Sequence, residues 1–123
     1  MAVEKARSGS RGPDSPVFDR AHLAHYTMNS ADLEREIVAL FLQQLPLTID
    51  SIERAATEAE WKLATHTLKG AAAAIGAWRI RAMAIDLERF APDGDANVKS
   101  LRLQSLAAAV AEFRDTVRQI YPS

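Results

Sequence analysis

The sequence predicts an all-α fold, an up-down-up-down four-helix bundle preceded by a short covering helix. Alanine occurs 23 times among 123 residues, whereas glycine and proline occur only five times each. No stretch shows the strict alternation of polar and apolar residues that a half-buried strand requires. Instead, apolar residues recur at spacings of three and four along four segments joined by short connections, which is the pattern of an antiparallel bundle.

Composition and charge exclude several classes of function. Apolar residues make up 48% and charged residues 25% of the chain, with a net charge of -1, so no strong overall field favours nucleic acid or an anionic membrane. The absence of cysteine excludes disulfides, thiolate metal sites and cysteine nucleophiles. No apolar run approaches the ~20 residues of a membrane span, and the N-terminus lacks the apolar segment of a secretory signal. We therefore expect a cytoplasmic protein without a cofactor, and neither nucleic acid nor membrane as its partner.

The chain divides into a tail and one domain. Residues 1–16 are mostly Ser, Gly, Pro and charged residues with almost nothing to bury, which predicts a flexible N-terminal tail. Residues 17–121 form the predicted bundle. At its start, Phe18 to about Tyr26 is the short covering helix.

The first long helix is predicted to begin at Asn29 or Ser30, because either side chain can cap a helix N-terminus. Pro46 lies inside this helix and is expected to kink or split it, since proline removes a backbone donor. The apolar stripe of the helix consists of Val38, Phe41, Leu42, Leu45, Ile49, Ile52 and Ala56.

The second and third helices are delimited by capping signals. Thr57 and Glu60 form a capping box, which starts a second helix that runs to about Ile75. Gly76 permits the turn that follows, and residues 92–95 form the loop that ends the third helix. The apolar side of that helix carries Ile80, Met83, Leu87 and Phe90.

The fourth helix has the most regular pattern, with apolar residues spaced as in the seam of an antiparallel bundle. They are Leu103, Leu106, Val110, Phe113, Val117 and Ile120. Four helices with short connections can close as a monomer, which is the oligomeric state we expect.

Two of the three histidines are close in sequence. His22 and His25 stand three residues apart, a spacing that places two imidazoles on one helical face and suits a metal ion. No third histidine lies nearby in sequence, which favours two surface histidines over a metal site.

His66 lies almost opposite the core side of the second helix, at about 100° per residue, and is predicted to project into solvent. The core side carries Trp61, Ala64, Thr65, Leu68, Ala71, Ala72 and Ile75. The neighbours of His66 on its own face are Lys62, Lys69, Gly70 and Ala73, and we expect no carboxylate on this face.

These neighbours suit a nucleophilic histidine. The ammonium groups of Lys62 and Lys69 favour the neutral imidazole and stabilise negative charge placed on it. Glycine inside a helix costs about 1 kcal/mol relative to alanine, so Gly70 suggests that another molecule must approach closely. The competing interpretation is an exposed histidine on a solvated basic face without a function.

This segment also resembles the signature of a known family. It reads His66-Thr67-Leu68-Lys69-Gly70, followed by Ile75-Gly76-Ala77, and is similar to the pattern H-x-L-K-G-x-x-x-x-(L/I)-G-A of histidine-containing phosphotransfer (HPt) domains. Further similarity lies at Phe18-Asp19, at the helix with Phe41, Leu42 and Pro46, and at Asp86-Leu87-Glu88, so that it covers about residues 17–120. Where family members often carry serines and an asparagine, this chain has alanines at positions 71–74.

The resemblance implies a phosphorelay intermediate. His66 would accept the phosphoryl group through Nε2, Lys69 would stabilise it, Gly70 would leave room for it, and Lys62 matches a commonly basic position. The phosphoryl group would come from the aspartyl phosphate of a receiver domain and pass to another receiver. The implied partners are receiver domains of hybrid sensor kinases and response regulators. They would hold the catalytic magnesium ion and acidic pocket, so this protein would not be a stand-alone enzyme.

A strip of small residues continues the His66 side of the helix beyond Gly70. We predict that Ala73, Ala74 and Ala77 dock the partner, although the high helix propensity of alanine is a competing explanation.

Two other function classes stay open. One is a helical binding module that docks or sequesters a receiver domain without accepting phosphate, and the other is an enzyme that uses His66 as a general base.

Overall fold

The computed structural model describes residues 15–90 and 92–122, so most of the predicted tail, residues 1–14, lies outside the described residues. The described part contains no strand, which confirms the all-α prediction. Its five helices are α1 (Arg20–Thr27), α2 (Ala31–Arg54), α3 (Glu58–Ile75), α4 (Trp78–Glu88) and α5 (Ala96–Ile120). Helices α2 to α5 form the bundle, and α1 packs against α2 and α3. None of these described helices is long and apolar enough to cross a membrane.

Local capping sets the helix boundaries. Ser30 Oγ accepts a hydrogen bond of 3.2 Å from the backbone at the start of α2, and Thr57 and Glu60 form the predicted capping box of α3. Gly76 ends α3 in the left-handed conformation at φ 84°. A Cβ at that position would lie 2.6 Å from the backbone oxygen of Asp19, so both the dihedral angle and the space require glycine.

Helix α2 continues through Pro46 to Arg54. Of the two effects expected of this proline, a kink or a split, the split does not occur. Pro46 is exposed while the preceding Leu45 is fully buried, so the proline ring displaces no core side chain.

The core lies between the four long helices and fixes how each is rotated about its own axis. The Trp61 indole N–H donates to the Leu87 carbonyl at 2.7 Å and joins α3 to α4. The rings of Phe41 and Phe113 meet edge to face at 5.4 Å and join α2 to α5. The large buried side chains are Leu23, Val38, Leu45, Ile52, Trp61, Leu68, Ile80, Leu87, Leu106 and Phe113.

Two residues assigned to the tail by their composition belong to the folded domain. Arg79 Nε donates to the Ser15 carbonyl at 2.9 Å, and the Arg79 backbone N–H donates to the Pro16 carbonyl at 3.0 Å. Ser15 is fully buried. The folded domain therefore begins no later than Ser15, two residues before the predicted boundary.

A buried carboxylate ties the two ends of the domain together. Glu34 on α2 accepts hydrogen bonds from Arg20 Nε at 2.6 Å and from the hydroxyl of Tyr121. Burial and the bond to Glu34 raise the pKa of Tyr121 to about 12. Burial opposes ionisation of Glu34, but the bonds from Tyr121 and Arg20 outweigh it and lower the pKa of Glu34.

Candidate functional site

The His66 side chain is 68% exposed in the middle of α3. Thr65, the residue before it, and Leu68, two residues after it, are both buried. Because the core contacts of α3 fix its rotation, the imidazole has to face solvent. The exposed position therefore agrees with the helical spacing.

Glu88, the last residue of α4, brings a carboxylate to the histidine. Its Oε1 accepts a hydrogen bond from Lys69 Nζ at 2.8 Å, and its Oε2 lies 3.6 Å from His66 Nδ1. The Trp61–Leu87 hydrogen bond holds the end of α4 against α3 and so places Glu88 beside this face. The spacing along α3 could not reveal this residue, although the sequence Asp86-Leu87-Glu88 formed part of the family resemblance.

Lys69 and Glu88 form a half-buried ion pair. Their side chains are only 27% and 26% exposed, so water and salt screen the pair less than a fully exposed one. The hydrogen bond from Lys69, opposed by burial, lowers the pKa of Glu88. Glu88 is therefore ionised at neutral pH, and the charge of Lys69 is compensated before any anion arrives.

The second ring nitrogen of His66 is available for chemistry. Within residues 15–90 and 92–122, Nε2 has no hydrogen-bond partner. A carboxylate near Nδ1 favours the tautomer that carries its proton on Nδ1. The lone pair of Nε2 then points away from Glu88 and can act as a nucleophile.

Gly70 is a glycine that no contact among the described residues requires. A Cβ at this position would meet no atom of the described residues within 4 Å apart from the adjoining backbone of its own helix, and an alanine would favour the helix by about 1 kcal/mol. The open space lies one turn beyond His66, where a second molecule would approach. Lys62, one turn before His66, is exposed and forms no ion pair with the described residues.

Only part of the predicted alanine strip is exposed to solvent. Ala74 is exposed and Ala73 is half-buried, but Ala77 is fully buried, so its assignment to a docking surface is wrong. The helical register ends at Gly76, and the Ala77 backbone N–H turns inward to donate to the Ala72 carbonyl at 2.9 Å. Ala71, expected on the core side, is exposed.

Larger exposed apolar side chains lie on the other flank of His66. Leu63 on α3 is 69% exposed and Leu47 on α2 is 63% exposed. Both line a groove of about 560 Å³ between these helices. Leu63 precedes His66 by one turn and does not belong to the predicted core face of the helix. A large apolar residue outside the core face was the sequence signal that could have revealed this surface.

The other two histidines differ in their surroundings. His22 Nε2 lies 3.0 Å from the Ala73 carbonyl, and its N–H donates to that oxygen, whereas His25 is exposed. The described ranges contain no group of three or more His, Cys, Asp or Glu side chains that could hold a metal ion.

Comparison with known families identifies the class of protein. The model of the Hpt domain matches residues 36–120, which is more than half of the chain. The chain therefore belongs to the Hpt domain family, whose members are histidine phosphotransfer modules of phosphorelays and interact with receiver domains. Comparisons with curated proteins and with solved structures found no match.

Proposed function

We propose that this protein is a phosphorelay intermediate that accepts a phosphoryl group on His66 from one receiver domain and passes it to another. The observation that carries the proposal is the exposed imidazole, whose Nε2 has no hydrogen-bond partner among the described residues, next to Lys69, Glu88 and the open space at Gly70. Membership of the Hpt family supports the same reaction.

The transfer step needs only one nucleophile from this chain. The Nε2 lone pair attacks the phosphorus of the receiver's aspartyl phosphate, so that the Nε2–P bond forms while the P–O bond to the aspartyl group breaks. The aspartate of the receiver leaves as a carboxylate. While Nδ1 keeps its proton, the phosphorylated ring is positively charged, and Glu88, 3.6 Å from Nδ1, stabilises that charge. Transfer to the second receiver reverses these bond changes.

Lys69 stabilises the phosphoryl group while it stays paired with Glu88. An ammonium group has three donors, so Lys69 can keep its bond to Glu88 and still donate to a phosphoryl oxygen. Lys62 adds a second positive charge on the same face. The magnesium ion and the acidic pocket that activate the aspartyl phosphate belong to the receiver.

We further propose that the receiver docks over both flanks of His66. Gly70, Ala73 and Ala74 provide a flat area, while Leu47 and Leu63 provide apolar side chains large enough to anchor a partner. Burying an exposed leucine contributes about 1.5–3 kcal/mol, more than an alanine can. The leucine groove is therefore the stronger part of the docking surface.

The proposal is tested by mixing the protein with a receiver domain that carries a radiolabelled aspartyl phosphate. We expect a label on this protein that is stable in alkali, labile in acid and absent from His66→Gln. His25→Gln, which changes the same residue type at another exposed position, is the matched control. A receiver that binds without leaving label would indicate a binding module instead, and label on His66→Gln would show that another residue accepts phosphate.

A further inference from the structure

The end of α3 beyond His66 has few side-chain anchors of its own. Gly70 has no side chain and residues 71–74 are alanines, of which only Ala72 is fully buried. Ile75 is the last large side chain of the helix in the core. The position of this end therefore depends on contacts from other elements.

His22 on α1 provides such a contact. Its Nε2–H donates to the Ala73 carbonyl at 3.0 Å. The Gly76 backbone N–H, just past the end of the helix, also donates to that carbonyl, but at the longer distance of 3.3 Å. The ring of His22 thus serves as a C-terminal cap for α3.

The imidazole of His22 is itself held in place by its neighbours. It packs edge to face against Trp78 at 4.9 Å and against Tyr26 at 5.2 Å. The Trp78 indole N–H donates to Asp19 Oδ2 at 2.9 Å, and Asp19 Oδ1 accepts from the His22 backbone N–H at 3.1 Å. This closed set of contacts gives the ring one orientation, aimed at Ala73.

The capped residue lies within reach of a partner bound at His66. Ala73 follows His66 by two helical turns, which is about 10 Å along the axis. An ordinary protein interface covers about 800 Å² on each partner, equivalent to a disc of roughly 16 Å radius. A receiver centred on His66 therefore covers Ala73.

We infer that His22 is a positioning residue for receiver docking, which holds the end of α3 in place through the Ala73 carbonyl. This inference depends on the proposed function, because it assigns His22 to the surface that the receiver covers. With His22 in place, the receiver meets an ordered surface and does not have to order it on binding. The chemistry at His66, two turns away, does not require His22.

The test compares variants of the full chain in two phosphorylation reactions. His22→Phe keeps an aromatic ring but cannot donate to Ala73, whereas the amide of His22→Gln can still donate. His25→Phe makes the same change on the same helix, at a position where the imidazole forms no hydrogen bond with the described residues. One reaction uses the aspartyl-phosphorylated receiver that transfers fastest to wild type in a panel of purified receivers. The other uses phosphoramidate, a small donor that needs no docking surface.

We expect His22→Phe to raise the half-saturating receiver concentration about three- to tenfold, the usual effect of one lost hydrogen bond. The maximal transfer rate of His22→Phe and its rate with phosphoramidate should match those of wild type. His22→Gln should bring the half-saturating receiver concentration most of the way back to the wild-type value. His25→Phe should behave like wild type in both reactions. Hydrogen exchange of amides 73–77 should be faster in His22→Phe only.

Other results would overturn the inference. An unchanged half-saturating concentration in His22→Phe would show that the cap does not matter for docking. An equal loss with phosphoramidate would show that His22 supports the fold or His66 itself. If wild type accepted no phosphoryl group from any receiver, the proposed function would fail first, a result visible before any His22 variant is compared.

Discussion

Lys69 on α3 and Glu88 at the end of α4 form a 2.8 Å ion pair beside the exposed imidazole of His66. The pair joins residues that are 19 positions apart in the chain. The charge of Lys69 is therefore already paired in the unphosphorylated protein. The same carboxylate lies 3.6 Å from Nδ1 of His66, the ring nitrogen opposite the proposed nucleophile.

Lys69→Ala should slow transfer and shorten the lifetime of the phosphohistidine. A charge-assisted hydrogen bond contributes about 1.5–3 kcal/mol, so the expected effect is about ten- to a hundredfold. Lys62→Ala is the control, since Lys62 is more exposed and should have a smaller effect. Equal effects of the two substitutions, measured by label transfer and by label decay, would assign the phosphoryl contact to both lysines.

Glu88→Gln should change both the chemistry and the acid stability. Without the carboxylate, the cationic phosphorylated ring is less stable, so the phosphohistidine should form more slowly with phosphoramidate. The pKa of Glu88 is lowered in the folded state, mainly by the hydrogen bond from Lys69. Its contribution to stability is therefore present above the unfolded pKa and is lost as the pH falls through the folded pKa.

Urea unfolding between pH 7 and pH 3 measures this acid-dependent contribution. The loss of stability on acidification should be smaller in Glu88→Gln than in wild type. If the free energy of unfolding fell by the same amount in both proteins between pH 7 and pH 3, the Lys69–Glu88 pair would not stabilise the fold.

Gly70→Ala should separate stability from function. The added methyl group meets no other described residue outside the adjoining backbone of the helix, so the alanine should raise the free energy of unfolding by up to about 1 kcal/mol. Transfer from a phosphorylated receiver should nevertheless fall, because the added methyl occupies the space a partner needs. Ala71→Gly is the converse control and should lower stability with little effect on transfer. A stabilised Gly70→Ala protein with wild-type transfer would remove Gly70 from the site.

Leu63→Ala should weaken receiver binding about tenfold, or about 1.4 kcal/mol, while the melting temperature stays close to that of wild type. The reason is that Leu63 is 69% exposed in the free protein and would be buried only by a partner. Leu101→Ala is a matched control, because Leu101 is 61% exposed but lies on α5, outside the groove. Equal affinities of the two variants in a titration would place the partner away from the groove.

Tyr121→Phe should change the response of stability to alkali. The pKa of Tyr121 is raised to about 12, chiefly by burial and by its bond to Glu34, above the ordinary value near 10. Stabilisation by the protonated phenol is therefore complete below pH 10 and is lost as the pH rises towards 12. Wild type should lose on the order of 2 kcal/mol more than Tyr121→Phe over this interval, as measured by denaturant unfolding. If the free energies of unfolding of the two proteins changed with pH in parallel, ionisation of the Tyr121 phenol would not be coupled to folding.

The local parts of this molecule follow from the sequence alone. The helix start at Ser30, one of the two predicted caps, and the capping box at Thr57 depend on residues within four positions of one another, and the structure has them where the sequence predicts them. The left-handed turn at Gly76 is also where the sequence predicts it, but the close approach of Asp19 gives a second, non-local reason for glycine there. The outward register of His66 is local in the same sense, because 3.6 residues per turn and an apolar face determine which side of α3 meets water.

The surroundings of that histidine depend on how the helices pack against one another. Glu88 reaches it from another helix, His22 reaches Ala73 from 51 positions away, and Leu47 forms a groove with Leu63 across two helices. Ala77 is buried because the chain turns inward after Gly76. Helical periodicity states which face of each helix is apolar, but the rotation and offset between helices arise from how their side chains interlock. Contacts between helices therefore depend on packing that no single segment encodes.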